Sequence, residues 1–257
     1  MERHTRPKQA FDGLTEHYRR HRPDYPSEIA EWMIHRLGVR PGGRVADVGA
    51  GTGIFTRHLL AAPLRVCAIE ISAEMASQLQ GERHPRQATV RGRAEALPLA
   101  DCTLDALFAA QAFHWFDPDV ALPEWHRALV PHGGVGLVWN DRDVERSAFC
   151  RDYEALIVEH NPDHRLGYRD LPVEETLRGS GLFTAVESRV VEHLWRSDHA
   201  GMIGFSRSVS YIVNAMEGAT LDHFFAELER LLALHFPEGR VGIPLRSRAW
   251  IARARTG

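Results

Sequence analysis

Between residues 44 and 160, short apolar segments alternate with amphipathic ones. Apolar runs of strand length are typical of strands buried on both faces, and apolar positions three or four residues apart are typical of helices. The pattern predicts strands near 44–48, 65–70, 87–91, 104–110 and 134–139. It predicts helices near 53–61, 73–80, 119–129 and 144–159. This alternation indicates an α/β fold built on a doubly wound, mostly parallel sheet.

The segments on either side of this alternation complete the predicted architecture. The N-terminal segment has apolar positions at helical intervals up to Tyr18, and residues 28–37 form a second amphipathic helix. Extended stretches at 183–195 and 241–252 are separated by helical segments near 199–216 and 220–235. They predict late strands that carry an inserted helical cap. We expect a single domain over 1–257: an N-terminal helical lid (1–38), an α/β core (39–140) and late strands with a helical cap (141–257).

Composition and charge exclude several classes of protein. With 44% hydrophobic and 25% charged residues, the chain has the composition of a soluble globular protein. It contains no apolar run near the roughly 20 residues of a membrane helix. The charged N-terminus does not resemble a secretory signal, so we expect a cytoplasmic protein. A net charge of −3 with both signs scattered disfavours a nucleic-acid partner.

The cysteines give no sign of a disulfide framework or a metal centre. Cys67, Cys102 and Cys150 are odd in number and show no CxxC spacing. His160 and His164 have helical spacing, but Pro162 lies between them and would interrupt the helix. We therefore expect reduced thiols and no metal.

A glycine-rich turn follows the first predicted strand. Gly49, Gly51 and Gly53 separate this strand from a helix, and free amides at a helix start favour an anionic group of a ligand. The dinucleotide fingerprint GxGxxG would require glycine at position 54 or 56, where Ile54 and Thr56 stand. This spacing argues against a nicotinamide oxidoreductase.

Two acidic residues indicate which ligand the turn accepts. Asp47 lies at the end of the first strand, where it would repel a pyrophosphate but attract an ammonium and a sulfonium group. S-adenosylmethionine (SAM) carries both cations and no phosphate. Glu70 ends the next strand, where an acid of a doubly wound fold can accept hydrogen bonds from ribose hydroxyls. The alternatives to ligand binding are that Asp47 only accepts hydrogen bonds from amides of the turn and that Glu70 is only a solvated strand end.

Four segments carry a resemblance to class I SAM-dependent methyltransferases. They are VADVGAGTG (45–53), AIEIS (68–72), GRAEALPLADCTLDALFAAQAFHWF (92–116) and LVPHGGVGLVWN (129–140). The N-terminal YxxxRPxYP, here Tyr18 to Pro26, is similar to that of the small-molecule branch that includes trans-aconitate methyltransferases. The resemblance covers most of the chain and implies a Rossmann-like fold with an antiparallel late strand.

The resemblance also assigns cofactor contacts, residue by residue. It implies contacts to the methionine part of SAM from Gly49, Ala50, Gly51 and Gly53, beside Asp47. For the nucleoside part, it implies that Glu70 holds the ribose and that Ile71 packs on adenine. Near the adenine amino edge it places Ala94 and Glu95. It further implies that Gln111 and Ala112 border the sulfonium, and that Tyr18 and Arg22 close over the methionine carboxylate. Arg93 stands where many relatives have aspartate, which leaves the adenine partner open.

His114 is the candidate catalytic base. Methyl transfer is an in-line displacement, so alignment in a dry pocket is the main requirement. A base is needed for a hydroxyl acceptor but not for an ionised carboxylate. His114 follows the fourth strand, beside the expected methyl position, and the pKa of a free histidine suits proton transfer near neutrality. The alternative is that His114 only orients its loop.

Six residues are candidates for substrate contact: Phe113, Trp115, Asn140, Arg142, Arg207 and Tyr211. Aromatic residues at a strand end are also common packing residues, and Arg142 could pair either with a substrate carboxylate or with a neighbouring acid. Alternatively, Arg207 and Tyr211 make no substrate contact and are ordinary core or surface residues of the cap.

These observations predict an enzyme that transfers a methyl group from SAM to an oxygen of a small carboxylic acid or hydroxylated metabolite. N- or C-methylation stays open because the cofactor fold does not choose the acceptor. A SAM-binding protein with a non-methylating role, such as a cyclisation, is a further alternative. We expect a monomer or homodimer.

Overall fold

The computed structural model describes residues 21–81, 83–162, 164 and 167–256. Within this part of the chain, seven strands form one sheet in the order β3-β2-β1-β4-β5-β7-β6. The strands are β1 (Arg44–Val48), β2 (Arg65–Glu70), β3 (Gln87–Arg91), β4 (Leu104–Ala110), β5 (Leu129–Arg142), β6 (Phe183–Asp198) and β7 (Arg240–Ala254). The helices are α1 (Ser27–Arg36), α2 (Ile54–Ala61), α3 (Ala73–Gly81), α4 (Pro118–Ala128), α5 (Ala148–His160), α6 (Val173–Gly179), α7 (His199–Arg207), α8 (Ser210–Val213) and α9 (Gly218–His235).

The predicted fold class is confirmed: the sheet is mostly parallel, with antiparallel late strands. The printed pairings β1 with β2 and β4, β2 with β3, and β4 with β5 are all parallel. The first four strands begin and end where the sequence pattern predicts. Strand order reverses between β1 and β4, and open α/β sheets bind ligands at the carboxyl ends of strands at such a point.

Strand β5 is longer than the predicted 134–139 because it begins before the glycines. Residues 130–133 include a proline and a positive φ at His132, features that are uncommon inside a regular strand. The pairing between β4 and β5 is irregular at this segment. Leu104 faces Leu129, whereas Ala106, two residues later, faces Gly134. The regular register then continues to Ala110 opposite Val138.

The described residues divide into two compact units. The sheet unit contains Tyr25–Asn140, Asp170–Val191 and Ser247–Gly257. Its core joins α1 and α2 to the sheet through Ile29, Met33, Phe55, Leu59 and Phe108. Each of these side chains is at most 2% exposed, and their burial is the main stabilising term for this unit.

The helical unit contains Asp141–Arg169 and Glu192–Arg246, together with the described residues before Tyr25. Its core is formed by the apolar faces of α5, α7 and α9, with Phe149, Tyr153, Phe205, Phe224 and Leu228 among its buried side chains. In the part of the chain that the structure describes, helices are too short or too polar to span a membrane.

Candidate functional site

The glycine turn after β1 has the backbone conformation that the sequence predicts. Gly49, Gly51 and Gly53 have φ values of 71°, 58° and 83°. These values lie in the left-handed region, which residues with a Cβ adopt at a cost. Gly53 is the N-cap of α2, so the turn delivers the chain directly into the helix.

Gly49 also brings two strand ends together. A Cβ atom at this position would lie 2.7 Å from the Cβ of Ala112 and 3.2 Å from the ring of Phe116. The loop after β1 and the loop after β4 are therefore in contact at the point where the strand order reverses. The structure places two predicted cofactor residues, Gly49 and Ala112, side by side.

Asp47 is a buried acid with one satisfied oxygen. Its Oδ2 accepts a hydrogen bond from the Thr56 hydroxyl at 2.6 Å. Its Oδ1 is buried and accepts no hydrogen bond from the described residues. Burial raises the pKa of Asp47 to about 7, and the nearby Glu70 carboxylate adds to the rise. Such an oxygen is a strong acceptor for a cationic group that enters the turn.

Glu70 links two loops through its carboxylate. Oε2 accepts from the backbone N–H of Gly51 at 2.8 Å, and Oε1 accepts from that of Ser72 at 2.8 Å. Burial raises the pKa of Glu70, while these two hydrogen bonds oppose the rise. A carboxylate offers about four lone-pair sites, so each oxygen can still accept a ribose hydroxyl.

The residues around the turn fit SAM. The buried Oδ1 of Asp47 can accept from its ammonium group. Glu70 offers acceptors for a ribose. The next residue, Ile71, is half-buried and leaves apolar surface for a base to pack against. These residues would hold the cofactor through its amino acid, its ribose and its base, respectively.

The segment predicted to lie at the adenine edge is firmly held. Ala94 is buried, and its carbonyl accepts from the Trp125 indole N–H at 3.0 Å. The Glu95 carboxylate accepts from the backbone N–H of Asp117 at 3.1 Å and lies 3.6 Å from the Arg93 guanidinium. The loop after β3 is thus tied to the start of α4.

Gln111 connects the ends of β4 and β5. It has a φ of 50°, unusual for a residue with a side chain, and its Oε1 accepts from the Asn140 backbone N–H at 3.0 Å. The Asn140 side chain accepts in turn from the buried Ser247 hydroxyl. Strained backbone of this kind costs about 1–3 kcal/mol and is concentrated at functional sites. Asn140 is thus held by two hydrogen bonds, one from its backbone N–H to Gln111 and one to its side chain from Ser247.

His114 is oriented by a tryptophan on the neighbouring strand. The Trp139 indole N–H donates to Nδ1 of His114 at 3.2 Å, and Trp139 is buried. An indole nitrogen can only donate, so Nδ1 carries a lone pair and, in the neutral ring, Nε2 carries the proton. The His114 and Trp115 rings are 5.0 Å apart.

Phe113 lies in a packed aromatic group. It is 4% exposed and meets Phe116 and Trp125 edge to face, with ring centroids 6.2 and 5.8 Å away. This is the packing alternative considered for the aromatic cluster. Trp115, two residues later, is only half-buried.

In the helical unit, Arg142 pairs with a neighbouring acid. Its Nη2 donates to Oε1 of Glu154 at 2.8 Å and to the Tyr211 hydroxyl at 3.3 Å. Arg169 also donates to Glu154, at 2.9 Å. Although burial alone would raise it, the charges of Arg142 and Arg169 hold the pKa of Glu154 below its usual value. Arg142 therefore pairs with a neighbouring acid, which is one of the two partners considered for it from the sequence.

The remaining candidates in the helical unit are Arg22, Arg207 and Tyr211. The Arg22 side chain donates to the hydroxyl and the carbonyl of Ser208, at 3.0 and 2.9 Å. Arg207 lies over the Phe225 ring at 4.2 Å, a cation–π contact. The Tyr211 ring is 4.3 Å from that of His164. Tyr18 lies outside the described residues.

Sequence reasoning missed the residues that hold the predicted ones in place. Thr56 satisfies Asp47, Trp139 orients His114, and Ser247 holds Asn140. Thr56 lies in the first turn of α2, directly after the glycine turn, so its position near Asp47 follows from the local sequence. Trp139 and Ser247 are far from their partners along the chain and carry no local signal.

Comparisons with known proteins agree with this geometry. Residues 46–136 match the model of a family described as a methyltransferase domain. An uncharacterized methyltransferase of Mycobacterium tuberculosis is 34% identical over 229 residues, covering 88% of this chain and 86% of the relative.

Solved structures share the architecture. A structure from Anaeromyxobacter dehalogenans, described as a type II methyltransferase, is 27% identical with a TM-score of 0.65 and covers 91% of this chain and 97% of its own. Phosphoethanolamine N-methyltransferase 2 of Haemonchus contortus, solved with SAM, shares the fold at 15% identity and a TM-score of 0.55, over 98% of this chain and 59% of its own. The Mycobacterium tuberculosis relative, at 34% identity over 88% of this chain, shows the family. The chain belongs to the SAM-dependent methyltransferases and is an enzyme whose cofactor is SAM.

Proposed function

We propose that the enzyme methylates an oxygen of a small carboxylic acid or hydroxylated metabolite, and that a carboxylate is the favoured acceptor. The observation that carries this choice is the hydrogen bond from Trp139 to His114. SAM supplies the methyl group. An acceptor oxygen forms the new bond to the methyl carbon while the carbon–sulfur bond breaks and sulfur keeps its electron pair.

The tautomer of His114 supports a carboxylate acceptor. With the Nδ1 lone pair engaged by Trp139, the neutral ring presents an N–H at Nε2. This group can donate a hydrogen bond to a carboxylate oxygen and align it, but it cannot accept a proton there. General base catalysis at Nδ1 would first require loss of the Trp139 bond. A carboxylate is ionised near neutrality and needs no base.

We assign the cofactor contacts to the turn and strand ends of the sheet unit. The Asp47 carboxylate and the turn from Gly49 to Gly53 would hold the methionine part, and Glu70 would hold the ribose. The other predicted contacts, Ile71, Ala94, Glu95, Gln111 and Ala112, would complete this site. Arg22 and Tyr18 remain proposals for the methionine carboxylate.

Trp115 is half-buried beside His114 and offers an aromatic wall. Arg207 and Tyr211 remain proposed substrate contacts, whereas Arg142 is engaged with Glu154 and acts on a substrate only if it exchanges that partner. We further propose a single domain over 1–257, a cytoplasmic location, a small-molecule rather than nucleic-acid substrate, and a monomer or homodimer.

The test is product analysis with methyl-labelled SAM and a library of small acids, alcohols, phenols and amines. Mass spectrometry identifies the labelled product, and mild alkali then distinguishes the acceptor atom. A carboxylate methyl ester releases labelled methanol under alkali, whereas ethers, N-methyl and C-methyl products keep the label. An alkali-stable product contradicts the carboxylate proposal, and no labelled product with any class contradicts small-molecule methylation.

A further inference from the structure

Three side chains on two helices of the helical unit converge on one point. His160 ends α5, while His223 and Glu227 lie four residues apart on one face of α9. Nε2 of His160 is 3.3 Å from Oε2 of Glu227, and Nε2 of His223 is 3.5 Å from Oε1 of the same carboxylate. One ligand atom from each residue lies within 4.8 Å of the others.

The hydrogen bonding of His160 directs a lone pair at this point. Its Nδ1 lies 3.2 Å from the Leu156 carbonyl, which can only accept, so Nδ1 carries a proton. In the neutral ring Nε2 then has a free electron pair, and it faces an oxygen of Glu227 that is also an acceptor. Two acceptors at this distance repel each other unless a cation lies between them.

Within the part of the chain that the structure describes, Glu227 has no hydrogen-bond donor for the oxygen that faces His160. Its Oε2 is buried and accepts no hydrogen bond from the described residues. Buried polar atoms are nearly always satisfied, and an exception points to an ion or a water. The His160 side chain is 8% exposed and that of Glu227 is 24% exposed, so bulk solvent reaches the two groups poorly.

We propose that His160, His223 and Glu227 bind a zinc ion. Zn²⁺ binds histidine nitrogen and carboxylate oxygen at about 2.0–2.2 Å in tetrahedral geometry, which separates ligand atoms by roughly 3.3–3.5 Å. The distances from His160 and His223 to Glu227 have this size, and each histidine faces a different oxygen of the carboxylate. Mg²⁺ and Ca²⁺ prefer oxygen ligands in larger number, so two imidazoles select a transition metal.

The surroundings provide the features of a zinc site beyond its ligands. The Leu156 carbonyl fixes the His160 tautomer, as outer-shell acceptors do for metal-binding histidines. The Phe224 ring meets the His160 ring edge to face at 5.7 Å and holds its plane. His223 is 62% exposed, which leaves an entry path and a fourth position for water. None of the three residues is among the proposed SAM contacts.

The ion would connect α5 to α9 and close the segment between His160 and His223. We therefore assign it a structural role in the helical unit, because metal binding to the folded chain adds directly to its stability. Nη1 of Arg230 lies 3.9 Å from Oε1 of Glu227, so ion pairing of this carboxylate with the protein's own cations is the competing explanation of the geometry.

Zinc titration of the chelator-treated full chain tests the proposal. Calorimetry should show one high-affinity Zn²⁺ per chain, and His223→Gln or Glu227→Gln should weaken it by more than about 100-fold, beyond the usual effect of losing an outer-shell partner. Saturating Zn²⁺ should raise Tm by roughly 5 °C in the wild type and not in these variants. His35→Gln is the matched control, because His35 is also exposed on a helix but lies in the sheet unit.

The chain has 15 histidines, so binding alone is not sufficient support. Equal zinc affinity in the wild type and in His223→Gln and Glu227→Gln overturns the proposal, as does the absence of high-affinity binding in the wild type. Tighter binding of Mg²⁺ or Ca²⁺ than of Zn²⁺ also overturns it. SAM affinity measured on the same samples keeps this outcome separate from the proposed methyltransferase substrate.

Discussion

The indole N–H of Trp139 donates to Nδ1 of His114 at 3.2 Å, so one ring nitrogen of the histidine is engaged by the protein itself. The donor lies on β5 and the acceptor just after β4, and these strands pair in parallel with Ala110 opposite Val138. The sheet register therefore fixes the tautomer of His114, and the tautomer separates two roles that the sequence leaves open.

His114→Ala tests these roles. With a carboxylate acceptor we expect a higher KM and a loss in kcat of less than about tenfold, because no proton has to leave the acceptor. With a hydroxyl acceptor, loss of a general base should lower kcat by roughly 10²–10⁴. Steady-state kinetics on the identified substrate makes the distinction. SAM affinity and Tm should remain near wild type, and their collapse would assign His114 only to loop structure.

SAM affinity should increase as the pH rises from 6 to 8. Burial raises the pKa of Asp47 to about 7, so the residue changes from mostly neutral to mostly ionised across this interval. Only the ionised form attracts the cationic methionine part of SAM, and a single proton changes affinity by at most about tenfold per pH unit. Calorimetry at several pH values measures the effect.

Asp47→Asn is the control for this pH dependence, because it keeps the size of the side chain and removes its titration. In this variant the slope between pH 6 and 8 should flatten, leaving only the titration of the cofactor itself. An identical slope in wild type and variant would show that another group causes the pH dependence.

Glu70→Ala should weaken SAM binding by about 1.5–3 kcal/mol, or roughly 10- to 150-fold, because ribose hydroxyls lose a charged acceptor. The same carboxylate holds the N–H groups of Gly51 and Ser72, so some loss of stability is also expected. Calorimetry and thermal unfolding separate the two effects. Glu70→Gln keeps one acceptor oxygen and should lose less affinity; an unchanged Kd in folded Glu70→Ala would remove this residue from the site.

Gly49→Ala should destabilise the chain more than Gly42→Ala. Both glycines have positive φ, 71° and 83°, so alanine meets the same backbone penalty of about 1–2 kcal/mol at either position. A Cβ at Gly42 has no heavy atom within 4 Å, whereas one at Gly49 lies 2.7 Å from the Ala112 Cβ. Overpacking adds about 1–3 kcal/mol at Gly49.

Denaturant unfolding of the two glycine variants measures this difference. Gly49→Ala should also lower SAM affinity because the crowded loops carry predicted cofactor contacts, while Gly42→Ala should bind normally. Equal stability of the two variants would mean that the loops after β1 and β4 can separate without cost.

Local sequence features were sufficient to predict the turn at Gly49, the acids Asp47 and Glu70, and the order of strands and helices. Each of these depends on residues within one strand–helix unit, where periodicity and turn chemistry act over a short distance. The fold class and the cofactor followed from them and are confirmed.

Contacts between distant segments were beyond this reasoning. Trp139 meets His114 only because β4 and β5 pair, and His160 meets His223 only because α5 packs on α9. No local pattern encodes such partners. The start of β5 was missed for a related reason: Pro131 and the following glycines have the composition of a turn, and only the pairing with β4 reveals them as part of a strand.

The irregular pairing between β4 and β5 lies at the amino ends of these strands, whereas His114, Gln111 and Asn140 lie at or beyond the carboxyl ends. Because Leu104 faces Leu129 and Ala106 faces Gly134, residues 130–133 form an irregular part of β5 that already lies outside the regular ladder. A residue added there would lengthen that excursion and leave Ala110 opposite Val138. The segment is therefore a suitable attachment point for a spectroscopic probe that reports on the sheet without shifting the proposed SAM contacts.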